Sequence, residues 1–145
     1  MIFVTVGTDR FEKLVKAADD LAGKIKEKVM IQKGNSICDV KKAECFEFTK
    51  DFDNYIEKAR IIISHGGAGT IFELLNKGKK VIGVANLNRI DKHQIEILEQ
   101  LDKEDYLVYC KDFNLLNALN KIENIKLKKY SPPGFWIDKK ITEMV

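Results

Sequence analysis

Cysteine, proline and long apolar runs are all scarce in this chain, and each scarcity closes off a class of protein. The three cysteines, Cys38, Cys45 and Cys110, are odd in number and far apart, which provides neither a disulfide framework nor the paired spacing of a zinc site. A reducing, intracellular compartment is the expectation. The two prolines both fall in Ser131-Pro132-Pro133-Gly134, so no linker interrupts the preceding residues, and 1–145 read as one domain with a distinct tail at 126–145. No apolar stretch approaches the ~18 residues of a membrane span. From the strand-like opening no signal peptide is expected, and work at a membrane would then call for a separate anchor. Neither sign of charge dominates: Lys+Arg number 25 and Asp+Glu 22, a net charge of +3, which argues against nucleic acid as a partner.

What the chain has is alternation. Short β-branched apolar runs occur at 2–6, 29–32, 45–49, 60–64, 80–85 and 106–109, each the length of a buried strand. Between most of them apolar residues recur at three- and four-residue spacing: Phe11, Leu14, Val15, Ala18, Leu21 and Ala22; Ile71, Leu74 and Leu75; Ile95, Leu98 and Leu101; Phe113, Leu116, Leu119 and Ile122. Alternating strands and amphipathic helices predict an α/β fold, a Rossmann-like parallel sheet with helices on both faces. The 29–49 stretch has no helical pattern, so one crossover should be irregular. At 145 residues the chain is long enough to bury a core without staples.

The most informative segment is Ile61-Ile62-Ile63-Ser64-His65-Gly66-Gly67-Ala68-Gly69-Thr70-Ile71-Phe72-Glu73, a buried strand, a glycine turn and a helix start. Gly66, Gly67 and Gly69 allow a ligand close to the backbone, and the helix presents unpaired N–H groups and the positive end of its dipole. An anionic group, most simply a phosphate, fits there. The nicotinamide fingerprint fails, because its last small position is Phe72, and no Walker loop occurs, which leaves nucleotide-sugar or phosphosugar ligands as the leading class. Thr70 and Glu73 can be read either as a capping box or as a carboxylate reaching ribose hydroxyls. The polar loop 86–94, with Asp91, His93 and Gln94, also follows a strand and should face the same crevice, as should the Val6-Gly7-Thr8 turn. The 126–145 tail, with Phe135, Trp136 and Ile137 beside the proline turn, either folds back on its own core or docks on another chain.

Together, Val4-Thr5-Val6-Gly7-Thr8, Gln32-Lys33-Gly34, Ser64-His65-Gly66-Gly67-Ala68-Gly69-Thr70 with Glu73, and Asp91-Lys92-His93-Gln94 resemble the donor-binding half of family 28 glycosyltransferases. The likeness is strongest to the stand-alone forms of dolichol-linked glycan and bacterial exopolysaccharide synthesis, and it covers residues 1–110. It implies the C-terminal half of a GT-B fold that binds a UDP-sugar. Gly66, Gly67, Gly69 and Thr70 would cradle the diphosphate with Gly7 and Thr8 close by. Glu73 would hold the ribose, Gln94 with Asp91 and His93 would contact the donor sugar or order its loop, and residues 48–52 would supply the base pocket. His65 would stand near the diphosphate. Asp9 follows Thr8 where the stand-alone forms usually carry a second hydroxyl residue, and is expected instead to cap a helix beginning near Arg10.

Sugar transfer needs a stabilised leaving diphosphate and a base for the acceptor hydroxyl. Asp51-Phe52-Asp53 is a lone D-x-D heading the helical segment 54–59 and reads as capping rather than as a metal site. No metal and no cofactor are therefore expected. One GT-B half leaves the acceptor site and the general base to a partner. The resemblance implies an inverting UDP-sugar transferase subunit, with a UDP-hexose such as UDP-GlcNAc as donor and a lipid-linked acceptor. Its partner would be a membrane-associated, acceptor-binding subunit that recruits this chain from the cytoplasm to the cytoplasmic face of a membrane. The alternative is a non-catalytic nucleotide-sugar-binding accessory module that supports a partner transferase.

Overall fold

The structure, a computed structural model, describes residues 1–87 and 93–130. Asp91, the proline turn and the tail aromatics lie outside the described residues. Six strands, β1 (Ile2–Thr5), β2 (Val29–Gln32), β3 (Glu44–Phe46), β4 (Ile61–His65), β5 (Lys80–Val84) and β6 (Val108–Tyr109), alternate with helices α1 (Glu12–Ala22), α2 (Phe52–Lys58), α3 (Ala68–Asn76), α4 (His93–Lys103) and α5 (Leu115–Asn124). Their spatial order is β3-β2-β1-β4-β5-β6, and every pairing is parallel. The expected doubly wound α/β sheet is therefore present.

Strand residues divide by parity, as the two-residue period of a pleated strand requires. Ile2 and Val4 of β1 and Ile61 and Ile63 of β4 pack with Leu14, Val15, Ala18 and Leu21 of α1 and with Leu119 and Ile122 of α5. Phe3 and Ile62 face the other way, against Ile56 of α2, Ile71 and Leu74 of α3 and Leu98 of α4. Burial on both faces explains why these strands read as continuous apolar runs. Gly83, inside β5, lets α4 approach: a Cβ there would stand 2.4 Å from Leu98 Cδ2. An isolated glycine within a strand is the sequence mark of such an approach.

The β2–β3 crossover contains no helix, as expected, and a side chain holds it in place. The buried carboxylate of Asp19 on α1 accepts from the backbone N–H groups of Lys41 (3.1 Å), Lys42 (2.7 Å) and Ala43 (2.9 Å). Burial alone would raise the Asp19 pKa, but these three donors together outweigh it and hold the group below its ordinary value. Helix α1 begins at Glu12, two residues beyond Arg10, and its N-cap position is Phe11. Phe11 and not Asp9 thus holds the cap position, and its N–H donates to Ser36 Oγ of the crossover at 2.8 Å.

Candidate functional site

Strand order reverses between β1 and β4: from β1 the chain builds outward through β2 and β3, then returns to the other side of β1. Loops diverging from such a point leave a crevice at the carboxyl ends of the strands, where α/β proteins bind ligands. Both glycine turns singled out in the sequence open there, one after β1 and one after β4. The register Thr5↔Ser64 sets them side by side.

The first turn is held from the β2 side. Gly7 has φ +64°, a left-handed conformation suited to glycine, and its N–H donates to Thr5 Oγ1 at 3.1 Å. Gln32 Nε2 donates to Gly7 O at 3.3 Å and Asn35 Nδ2 to Thr8 O at 2.8 Å, while Asn35 N–H reaches Asp9 O at 3.1 Å. Gly34, with φ +55°, presses so closely that a Cβ would stand 2.7 Å from Asp9 O and 2.8 Å from Gly7 O. Gln32-Lys33-Gly34 thus braces the first turn, a role its motif resemblance did not disclose. The signal was available as a glutamine closing an otherwise apolar strand.

The second turn runs from His65 into α3. Gly67 is the N-cap, extended at φ −65° and ψ 122°, with no side-chain cap bond. The Ile71 N–H makes a helical bond to Gly67 O at 3.0 Å, so the N–H groups of Ala68, Gly69 and Thr70 precede the helical ladder. Gly69 is exposed, and a Cβ on it would meet nothing within 4 Å. An anion can settle on this open first turn of a nine-residue helix.

The capping box does not form. Thr70 is the third residue of α3 rather than its cap, and the Glu73 carboxylate pairs instead with Lys77 Nζ at 3.1 Å. The same Lys77 reaches Asp53 at 2.9 Å. Of the D-x-D pair, Asp51 is the N-cap residue of α2 without a side-chain cap bond, so the expected capping by its carboxylate is also absent. Among the described residues no cluster of three metal-ligating His, Cys, Asp or Glu side chains occurs.

On the β5 side Gln94 lies in the first turn of α4 and is 8% exposed. Its Oε1 stands 3.0 Å from where a Gly66 Cβ would be. Neither Gln94 Oε1 nor Gln32 Oε1 has a hydrogen-bond partner among the described residues. His93, next along, pairs with Glu96 Oε2 at 3.5 Å on the exposed flank of α4. The structure thus brings Gly7, His65, Gly66, Gly67 and Gln94 to one crevice and leaves Gly69, Thr70 and Glu73 along its α3 edge. Thr8 is engaged through its carbonyl. In the expected base pocket Phe52 turns inward onto Phe3, with ring centroids 5.8 Å apart, while Phe48 stays 51% exposed. A cavity of about 580 Å³ lined by Gly78, Lys80, Tyr106 and Tyr130 lies beyond the strands' other ends, away from these turns.

The model of the glycosyltransferase family 28 C-terminal domain matches residues 1–134. The human protein named UDP-N-acetylglucosamine transferase subunit ALG13 is 36% identical over 122 residues, 75% of this chain and 11% of that protein. Its namesake from Kluyveromyces lactis is 37% identical over 87 residues, 58% of this chain and 44% of that one. The chain therefore spans about a tenth of the human relative and under half of the yeast one. The solution structure of ALG13 superposes with a TM-score of 0.66 at 20% identity, covering 98% of this chain and 94% of that one. The glycosyltransferase SnogD from Streptomyces nogalater gives 0.61 at 16% identity, over 99% of this chain and 39% of that one. These likenesses bear out the expected GT-B half-fold. By its sequence, over nearly the whole of its 145 residues, the chain belongs to the glycosyltransferase family 28 C-terminal domain family.

Proposed function

We propose that this chain is the donor-binding, catalytic subunit of a two-component inverting glycosyltransferase that takes a UDP-sugar, UDP-N-acetylglucosamine foremost, and needs no metal. The observation that carries this reading is the pair of glycine turns at the strand-order reversal, with the open α3 amides beside them. In the reaction an acceptor hydroxyl attacks the sugar C1, the C1–O bond to the diphosphate breaks, and UDP leaves with the bonding pair. Amides of the α3 first turn and the helix dipole would receive the negative charge that develops on the diphosphate. Donors of this kind are worth about 10²–10³ in rate, which a metal-bound site would otherwise have to supply. Glu73 is one helical turn from the cradle, in reach of a ribose once Lys77 releases it. Gln94 offers a buried acceptor to a sugar hydroxyl.

The acceptor proton needs a base, and we assign that base, with the lipid-linked acceptor, to a membrane-associated partner. Two things support a partner: the relatives carry the word subunit in their names, and three large apolar side chains are exposed on loops leaving the carboxyl ends of the strands. These are Ile37, Phe48 and Leu87, at 73%, 51% and 63% exposure. Among the described residues no helix is long and apolar enough to cross a membrane, so the partner would provide the membrane address.

Gly69→Ala tests the donor site. The added methyl meets no protein atom and removes a helical glycine, so the melting temperature should hold or rise by about 2 °C, while UDP affinity measured by calorimetry drops tenfold or more. UDP affinity unchanged by Gly69→Ala, or absent from the parent chain and its complex, overturns the site. Transfer to a lipid acceptor by the purified chain alone overturns the two-component reading, and activity lost in EDTA and restored by Mg²⁺ overturns metal independence.

A further inference from the structure

His65 closes β4 and is 8% exposed, with its imidazole close to a glycine of each turn. A Cβ on Gly7 would stand 2.9 Å from the ring Cε1 and 3.2 Å from Nε2, and a Cβ on Gly67 would stand 2.7 Å from Nε2 and 3.3 Å from Cδ2. One ring thus occupies the space that side chains at both positions would take. The two glycines are not equivalent. Gly7 has φ +64° and calls for glycine on backbone grounds alone. Gly67, at φ −65° and ψ 122°, has a conformation open to any L-residue, so the His65 ring is what reserves position 67 for glycine.

We propose that His65 is a positioning residue: its flat ring is the spacer that sets the separation of the β1 and β4 turns, and so the width of the cradle that receives the diphosphate. This deepens the donor-binding reading and rests on it. Packed interiors resist small displacements because they have few voids to absorb them. A spacer between two loops therefore transmits its thickness to both, whereas a histidine acting through its nitrogens would leave the loop separation to other contacts.

The test is a double-mutant cycle read by UDP calorimetry and by melting. Gly67→Ala overpacks the ring, and is expected to weaken UDP binding about tenfold and lower the melting temperature by about 4 °C. In a His65→Ala background the same Gly67→Ala change should cost nothing further in either measurement, because the atoms it met are gone. His65→Phe keeps a flat ring without nitrogens and should retain more UDP affinity than His65→Ala. Additive losses in the melting cycle overturn the spacer whatever UDP does, as does a stably folded His65→Phe whose UDP affinity sinks to that of His65→Ala. If the parent binds no UDP yet the melting cycle shows the compensation, the spacer stands and the donor-binding reading alone falls.

Discussion

Where the strands begin, the molecule settles its charges among its own side chains. Glu27 accepts from the Met1 amino group at 2.9 Å and from Arg60 at 2.6 Å, and Arg60 also bonds Glu123 at 2.7 Å. Arg60 chiefly, with the Met1 ammonium assisting against partial burial, holds the Glu27 carboxyl down at about 2. Where the strands finish, the building material is backbone: two glycine turns, a brace of amides, and an open helix start. Buried side-chain oxygens without a hydrogen-bond partner among the described residues occur on Glu12, Gln32 and Gln94, and all three belong to elements meeting at this finishing end. Native proteins seldom leave buried polar atoms unpaired. Among the described residues one end pairs its charges internally and serves stability; the other leaves buried acceptors open, as the proposed donor site requires.

The contrast can be broken most forcefully at Gly34. A methyl there combines a left-handed φ with close approach to two backbone oxygens, so Gly34→Ala should destabilise by about 3 kcal/mol, some 9 °C in melting temperature, and weaken UDP binding with it. A loss below about 1 kcal/mol would mean that the first turn yields and is not rigidly braced.

Acid sharpens the contrast from the opposite end. The folded pKa of Glu27 is depressed to about 2 and that of Asp19 is lowered as well. The stability they contribute is therefore full above the unfolded carboxyl values of about 4 and is lost as pH falls through the folded values. Glu27→Gln should remove about 1 kcal/mol at neutral pH and flatten the decline of stability between pH 4 and 2, with UDP affinity at neutral pH untouched. A decline as steep as the parent's would place the acid sensitivity elsewhere.

The smallest effect is expected from Lys77→Ala. Its pairs with Asp53 and Glu73 are exposed on both sides, so the urea midpoint should stay at the parent's value. UDP affinity should be no weaker than the parent's, because the substitution releases Glu73. Weaker binding would assign Lys77 itself to the ligand.

The β2 strand was readable to the residue, and the α1 face and the irregular crossover were readable too, because hydrophobic period is a local property of the chain. The two glycine turns were legible for the same reason. Helix starts were less so: Thr70-x-x-Glu73 and Asp9 are chemically apt caps, but α3 begins ahead of Thr70 and the cap position of α1 is Phe11. Asp19, spaced like any solvated helix carboxylate, proves to be buried beneath the crossover it anchors. Nothing within a few residues of Asp19 announces the three amides it meets, which lie 22 to 24 positions away.

By itself the order of residues determined that strands and helices alternate, which positions are apolar, and that glycine-rich turns follow β1 and β4, since each of these depends on neighbours along the chain. Only the tertiary structure decided why particular glycines stand where they do: Gly67 yields to an imidazole, Gly34 to two carbonyls and Gly83 to a leucine on α4. A missing side chain records a close approach without naming what approaches. That neighbour comes from another strand, loop or helix, and becomes visible only once the sheet has been assembled.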